Sequence, residues 1–213
     1  VDPDVDRLAF MDENGAMFGE EYTLVACADY VLSKTPGNTV SNMSSTRALR
    51  DVTEKHGGTY YSSAVGEVNV VTKMKAVSAV IGGEGNGGII DPQLHYGRDS
   101  LIGTALFLSL LSTSKLSVSE LKKTYPEYFM GKGKIQLEPT MDVDAFLLAI
   151  EKKYANNKPS TIDGVKIDFE ASWVHLRKSN TEPIIRVYTE APSQEDADLL
   201  MNRFKEELLA LGN

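Results

Sequence analysis

Three aspartates near the start of the chain form a candidate metal-binding loop. The segment DPDVDR places Asp2, Asp4 and Asp6 at alternate positions, and carboxylates spaced in this way can converge on a hard divalent cation such as Mg²⁺. A calcium-binding EF-hand also begins with alternating aspartates, but its sixth position requires glycine and here is Arg7. The next residues, 8–10, are strand-like, which also disfavours an EF-hand. A metal loop of another kind and a solvated acidic turn remain.

A second candidate is the glycine-rich segment GEGNGG at residues 83–88. It fits the dinucleotide-binding pattern G-x-G-x-x-G, which requires a helix to begin at the loop. Here Ile-Ile-Asp-Pro follows, and Pro92 is incompatible with a helix at that point. We therefore interpret the match as coincidence. What remains is a mobile or sharply turned loop that presents Glu84 and Asn86, a carboxylate and an amide able to bind adjacent sugar hydroxyls.

A third candidate is the segment RKSNTEP at residues 177–183. Hydroxyl groups, an amide and backbone N–H groups in a tight turn can bind an anion, and arginine adds bidentate binding of phosphate. The alternative is an ordinary connection between two strands with solvated charges. The candidate phosphate ligands are Arg177, Ser179, Asn180 and Thr181, with Arg186 just beyond.

Composition excludes several classes of partner. The chain has 213 residues and a formal net charge of −8, which disfavours binding to a nucleic-acid backbone. No segment is long and apolar enough to suggest a membrane partner. The single cysteine, Cys27, excludes an internal disulfide, fits a reducing, cytoplasmic location and lies in an apolar helical pattern typical of core packing. The chain begins without methionine or a targeting segment, so we expect it to be part of a longer protein.

Strands and helices alternate in the first part of the chain, which predicts an α/β domain with a mixed, mostly parallel sheet sandwiched by helices. The predicted elements are helices over 20–33, from Ser44 or Ser45 to His56, over 66–76 and over 99–112, and strands over 39–43, 59–63 and 77–81. A smaller α+β domain is predicted to follow, with strands over 134–137, 165–169, 172–176 and 184–189 and helices over 143–154 and 194–211.

With these three loops in this order, the chain resembles the α-D-phosphohexomutases, which include phosphoglucomutase, phosphomannomutase and phosphoglucosamine mutase. The family's loops read DGDGDR, GExSGH and RxSGTEP followed by IRV; this chain has DPDVDR, GEGNGG and RKSNTEP followed by IIRVY. The resemblance covers essentially the whole chain. It implies that residues 1–14 end domain 2, residues 15–126 form domain 3 and residues 130–213 form domain 4.

The resemblance implies an isomerase that interconverts 6-phospho and 1-phospho hexoses through a phosphoserine and a bisphosphate intermediate. The family's catalytic serine loop, TASHNP, has no counterpart here, so the fragment is expected to be inactive without the missing N-terminal domains. By resemblance, Asp2, Asp4 and Asp6 would hold Mg²⁺, and Arg7 would steady the phosphoserine. Glu84 and Asn86 would bind ring hydroxyls, and the third loop would bind the phosphate that is not reacting.

Departures from the family pattern leave alternatives open. Gly88 replaces the usual histidine of the sugar loop, and His95 or Arg98 are candidates to supply the lost positive charge. Asn86 stands where the family's sugar loop has serine, and Asn180 stands where its phosphate loop has glycine. The GEGNGG and HYGRD segments favour phosphoglucosamine mutase, with phosphomannomutase or phosphoglucomutase as the alternative. A noncatalytic sugar-phosphate-binding module is an alternative of a different class.

Overall fold

The computed structural model describes residues 1–136, 142–179 and 184–211. The chain divides into two compact units, Val1–Glu127 and Tyr128–Asn213. Each unit has a four-stranded sheet of its own. Among the described residues, no helix is long and apolar enough to cross a bilayer.

The first unit is an α/β domain. Its strands lie in the order β2-β1-β3-β4; β1 runs parallel to β2 and to β3, whereas β4 is antiparallel to β3. The elements are α1 (Glu20–Lys34), β1 (Asn38–Asn42), α2 (Ala48–Lys55), β2 (Tyr60–Ser63), α3 (Glu67–Ala76), β3 (Ala79–Glu84), β4 (Gly88–Ile90), α4 (Ser100–Ser114) and α5 (Val118–Lys122). The predicted mixed, mostly parallel sheet is confirmed.

Helices cover both faces of this sheet, as neighbouring residues of β1 show. Val40 belongs to a buried cluster with Val70 and Met74 of α3. The adjacent Thr39 points the other way, and its hydroxyl lies 2.6 Å from that of Thr53 in α2. Because successive side chains of a strand lie on opposite faces, α2 and α3 pack on opposite sides of β1.

The start of α2 differs from the prediction. The helix begins at Ala48, preceded by Arg47, and neither Ser44 nor Ser45 caps it. The Ser45 hydroxyl instead donates to Oδ1 of Asn42 (3.1 Å) and accepts from the backbone N–H of Gly85 (2.9 Å). Capping would require the Ser45 hydroxyl to accept from an N–H group of the helix, but it accepts from Gly85, which lies 40 residues away in sequence. Local sequence pattern could not predict this contact.

The glycine-rich segment is the turn of a β-hairpin. Strand β3 extends through Gly82 and Gly83 to Glu84, three residues beyond the predicted end, and β4 returns antiparallel to it. The sequence pattern predicted neither β4 nor α5. A strand rather than a helix follows the glycines, which agrees with our rejection of a dinucleotide-binding fold.

The second unit is an α+β domain with an entirely antiparallel sheet in the order β5-β8-β7-β6. Its elements are β5 (Phe129–Gln136), α6 (Val143–Lys153), a short 3₁₀ turn (Ala155–Asn157), β6 (Val165–Asp168), β7 (Trp173–Lys178), β8 (Ile184–Ala191) and α7 (Gln194–Leu211). The helices pack on the sheet around fully buried residues that include Ile150, Ile167, Val174, Ile185 and Phe204. Near the start of α7 the Ser193 hydroxyl accepts from the N–H of Asp196 at 3.0 Å, as the sequence suggested.

Candidate functional site

The structure brings the three aspartates of the DPDVDR loop together. Asp2, Asp4 and Asp6 each place one carboxylate oxygen within 4.8 Å of the others. Asp2 shapes the loop, since its Oδ1 accepts from the backbone N–H groups of Asp6 (3.2 Å) and Arg7 (3.1 Å). The chain turns sharply at Val5, which has a positive φ of 61°. Oxygen donors this close together fit a hard divalent cation.

The aspartates have unequal electrostatic surroundings. Desolvation by burial raises the pKa of Asp6, opposed by the charge of Arg98. Desolvation acts on Asp2 in the same direction, but hydrogen bonds from Arg7 outweigh it and hold the pKa of Asp2 well below its usual range. Oδ1 of Asp6 is buried and accepts no hydrogen bond within the part of the chain that the structure describes. A buried oxygen of this kind is a suitable ligand for a cation.

The acidic loop is attached to the β3–β4 hairpin. The backbone N–H of Leu8 donates to the carbonyl of Gly87 at 3.0 Å, and Arg7 forms an antiparallel bridge with Gly88. From the other side, the Ser100 hydroxyl donates to the carbonyl of Val5 at 2.7 Å. The candidate metal loop and the candidate sugar loop therefore form one continuous site.

Glu84 is buried inside this site. Its Oε1 accepts from Nδ2 of Asn42 (3.0 Å) and from the N–H of Gly66 (3.2 Å), and its Oε2 accepts from Nη1 of Arg98 (2.9 Å). The Glu84 side chain is only 6% exposed. Contact with a ring hydroxyl would therefore require one of these hydrogen bonds to be exchanged.

Asn86 lies at the tip of the hairpin, where its Oδ1 accepts from the N–H of Gly88 at 3.1 Å. It lines a cleft of about 310 Å³, together with Asp2, Arg7, Leu8 and other residues of the first unit. An amide from the sugar loop and a guanidinium from the acidic loop thus line the same opening. The lining also includes the carboxylates of Asp2 and Glu20, so the cleft is polar and carries charges of both signs.

Arg98 joins the two loops. Its guanidinium forms ion pairs with Asp6 (2.5 Å), Glu67 (2.9 Å) and Glu84 (2.9 Å). His95, the other candidate for the missing positive charge, is paired with Asp99 at 3.1 Å and is 49% exposed. Of the two, the structure places Arg98 at the site.

Sequence reasoning missed two residues of this site. Glu67 is the first residue of α3, and Asn42 is the last residue of β1. Both bind groups that lie far away along the chain, Arg98 and Glu84 respectively. The sequence predicted only that a helix begins near residue 66, which gives the position of Glu67 but not its ion pair with Arg98.

The candidate phosphate loop belongs to the second unit, between β7 and β8. Arg177 pairs with Asp163, whose Oδ2 lies 2.9 Å from its Nε, and the N–H of Ser179 donates to the carbonyl of Ile184 at 3.0 Å. Arg186 lies directly opposite Arg177 in the ladder between the two strands. Asn180 and Thr181, also predicted to bind phosphate, lie outside the described residues.

Two family models match the chain. The model for "Phosphoglucomutase/phosphomannomutase, alpha/beta/alpha domain III" matches residues 19–128, and that for the C-terminal domain of the same family matches residues 136–207.

Three curated relatives are similar to the chain over most of its length. A "Phosphoglucomutase/phosphomannomutase" of Thermococcus kodakarensis is 34% identical over 92% of the chain, and a "Phosphoglucosamine/phosphogalactosamine mutase" of Sulfurisphaera tokodaii is 32% identical over 96%. A "Probable phosphoglucosamine mutase" of Methanopyrus kandleri is 30% identical over 95%. The chain spans less than half of the length of each relative, between 43% and 46%.

Solved structures share the fold. A phosphoglucomutase/phosphomannomutase family protein of Burkholderia thailandensis superimposes on 97% of the chain, which covers 45% of that protein, with a TM-score of 0.77 and 24% identity. An N-acetylphosphoglucosamine mutase of Aspergillus fumigatus, solved with GlcNAc-6P and magnesium, covers 98% of the chain, which spans 51% of that protein, with a TM-score of 0.67 and 16% identity.

Proposed function

Because this chain belongs to the phosphoglucomutase/phosphomannomutase family, we propose that it supplies the metal, sugar and phosphate loops of a hexose-phosphate mutase. The reaction would move a phosphoryl group between two positions of one sugar phosphate. The observation that carries the proposal is the cluster of Asp2, Asp4 and Asp6, which is attached to the hairpin that carries Asn86.

The acidic cluster is the proposed magnesium site. Three carboxylates within 4.8 Å and a buried Asp6 oxygen without a hydrogen bond among the described residues suit Mg²⁺. The magnesium of the Aspergillus relative supports the same choice. When bound, Mg²⁺ would neutralise negative charge that develops on the phosphoryl oxygens.

The remaining residues of the first unit would orient the sugar phosphate. Arg7 lines the cleft beside Asp2 and can bind a phosphate oxygen. Asn86 lines the same cleft and can both donate to and accept from ring hydroxyls. Arg98 stands where Gly88 leaves room and supplies a positive charge beside Glu84.

The second unit would bind the phosphate that is not transferred. Arg177 and Arg186 lie directly opposite each other on neighbouring strands. Like charges at such positions destabilise a sheet unless an acidic group or an anion lies between them. Asp163 neutralises part of this charge through its ion pair with Arg177. A phosphate bound here could contact both arginines, because opposite residues of an antiparallel pair lie on the same face of the sheet.

The preferred substrate is a glucosamine phosphate. Two of the three relatives above are named as phosphoglucosamine mutases, and their identity to this chain is 30% and 32%. The Thermococcus relative, named for glucose and mannose phosphates, supports those sugars as the alternative.

The test is a mutase assay of a polypeptide that joins this chain to the N-terminal domains of the family, with Mg²⁺ and a trace of hexose bisphosphate. Glucosamine, mannose and glucose phosphates are compared. We expect turnover of one of them, lost in Asp4→Asn and kept in a matched control, Asp168→Asn, at an exposed position of β6. Full activity of Asp4→Asn would contradict the metal site, and no turnover of any sugar would contradict the proposed function.

A further inference from the structure

The guanidinium of Arg98 is surrounded by carboxylates from three parts of the first unit. Nη2 lies 2.5 Å from Oδ2 of Asp6, Nε lies 2.9 Å from Glu67, and Nη1 lies 2.9 Å from Glu84. The Arg98 side chain is 21% exposed, so solvent screens these contacts less than it would at an open surface. Arg98 is therefore positioned as an internal counter-ion.

Gly88 provides the space that Arg98 occupies. A Cβ atom at position 88 would lie 2.4 Å from Cδ and 3.1 Å from Cγ of Arg98. Any side chain at this position would push the arginine away from its carboxylates. The position of Arg98 thus depends on the absence of a side chain at Gly88, so the sugar loop controls the position of a charge that acts on the acidic loop.

Arg98 occupies only one oxygen of Asp6. Its contact is to Oδ2, whereas the buried Oδ1 accepts no hydrogen bond from the described residues. A divalent cation at the aspartate cluster would need an oxygen of Asp6, and its charge would repel the nearby guanidinium. A bound cation and Arg98 would therefore compete for the same carboxylate.

The backbone of the acidic loop is held in place without Arg98. Leu8 is hydrogen-bonded to Gly87, and the carbonyl of Val5 accepts from Ser100. Removal of the guanidinium should therefore leave the aspartates close together and make their surroundings more negative. The electrostatic effect on cation binding should outweigh any loss of order.

We propose that Arg98 is a positioning residue that competes with the divalent cation for Asp6 and thereby weakens the affinity of the acidic loop for metal. The inference rests on the proposed function, because it takes Asp2, Asp4 and Asp6 as the metal site. Arg98 also binds Glu84 of the sugar loop. A cation that binds Asp6 and repels Arg98 therefore also alters the ion pair between Arg98 and Glu84. Occupation of the metal site is in this way coupled to the sugar loop.

The test measures Mn²⁺ binding to the 213-residue chain by the electron paramagnetic resonance signal of free Mn²⁺ at low ionic strength. Arg98→Met keeps most of the side-chain volume and removes the charge, so we expect binding to tighten by about three- to tenfold. Lys73→Met is the control, because it removes a positive charge that lies 5.5 Å from the centre of the Tyr61 ring. The Mn²⁺ affinity of Lys73→Met should stay within about twofold of that of the original chain.

Gly88→Ala provides an independent variant that keeps the arginine. The added methyl group should displace Arg98 and tighten Mn²⁺ binding in the same direction, which decides the matter if Arg98→Met does not fold. If the original chain binds Mn²⁺ and the folded Arg98→Met and Gly88→Ala variants bind it equally or more weakly, the proposed role of Arg98 is overturned and the metal site is not. Absence of Mn²⁺ binding in every protein would overturn the metal site, and with it the proposed function.

Discussion

The backbone N–H of Leu8 donates a 3.0 Å hydrogen bond to the carbonyl of Gly87, and this contact joins the acidic loop to the glycine-rich hairpin. Gly87 has a φ of +84°, and a Cβ atom there would lie 2.1 Å from the carbonyl oxygen of Leu8. Only glycine permits both the turn and the close approach. The contact between Leu8 and the hairpin therefore depends on a glycine at this position.

Gly87→Ala should damage both the fold and the site. We expect the free energy of unfolding in urea to fall by about 3 kcal/mol, because the variant combines a strained φ with a backbone clash. Mn²⁺ binding should weaken as the acidic loop moves. Gly15→Ala is the matched control, since Gly15 has a φ of +80° but no atom within 4 Å of the position that an added methyl group would take; it should lose only about 1 kcal/mol. Equal losses in the two variants would argue against the contact with Leu8.

Val5→Gly should stabilise the acidic loop. Val5 has a φ of +61°, a region that β-branched residues adopt only under strain. Glycine relieves the strain, but its greater conformational entropy in the unfolded chain offsets part of this effect. We expect the free energy of unfolding in urea to rise by about 0.5–1 kcal/mol. Val5→Ala keeps the Cβ atom and should gain less. A loss of stability in Val5→Gly would contradict the strained conformation of Val5.

His175 should make the stability of the second unit depend on pH. The ring is fully buried, its Nε2–H donates to the carbonyl of Asp163, and desolvation lowers its pKa to about 4. An unfolded histidine takes up a proton near pH 6.5, whereas the folded one does not, so stability falls as pH falls through this range.

The expected loss from this histidine is about 2 kcal/mol between about pH 7.5 and pH 5, measured by urea unfolding. His175→Gln, which can still donate to Asp163, should have a flatter pH dependence than the original chain. If both proteins lose the same stability over this range, His175 is not the group responsible.

Cys27 should be unreactive in the folded protein. The thiol is fully buried in α1 and donates to the carbonyl of Gly103 at 3.4 Å, and desolvation raises its pKa. We expect labelling by a thiol reagent at least about a hundredfold slower than in urea, because only the exposed thiolate reacts. Cys27→Ala is the control for nonspecific labelling. Fast labelling of the native protein would contradict the predicted core position.

Local pattern was sufficient for most helices and strands of this chain. Apolar periodicity and β-branched runs predicted helix α1, helix α7 and the strands of both sheets except β4, with ends displaced by a few residues, because these signals depend on residues close together in sequence. Local pattern failed at the start of α2, where the hydroxyl of Ser45 binds Gly85 instead of capping the helix. It also missed β4, whose three residues are too few to show a period.

The sequence alone determined the α/β and α+β classes of the two units. It also identified three loops whose residues could bind a metal ion, a sugar or a phosphate, because residue type and short spacing carry that information. Only the tertiary structure decided that the first two loops form one site, and that Arg98 rather than His95 lies in it. Glu67 and Asn42 were also recognised only from the folded chain. The physical reason is that charges and hydrogen-bonding groups act through space over a few ångströms, whereas these partners are separated by 14 to 92 positions; Asn42 and Glu84, for example, are 42 residues apart in sequence and 3.0 Å apart in the fold.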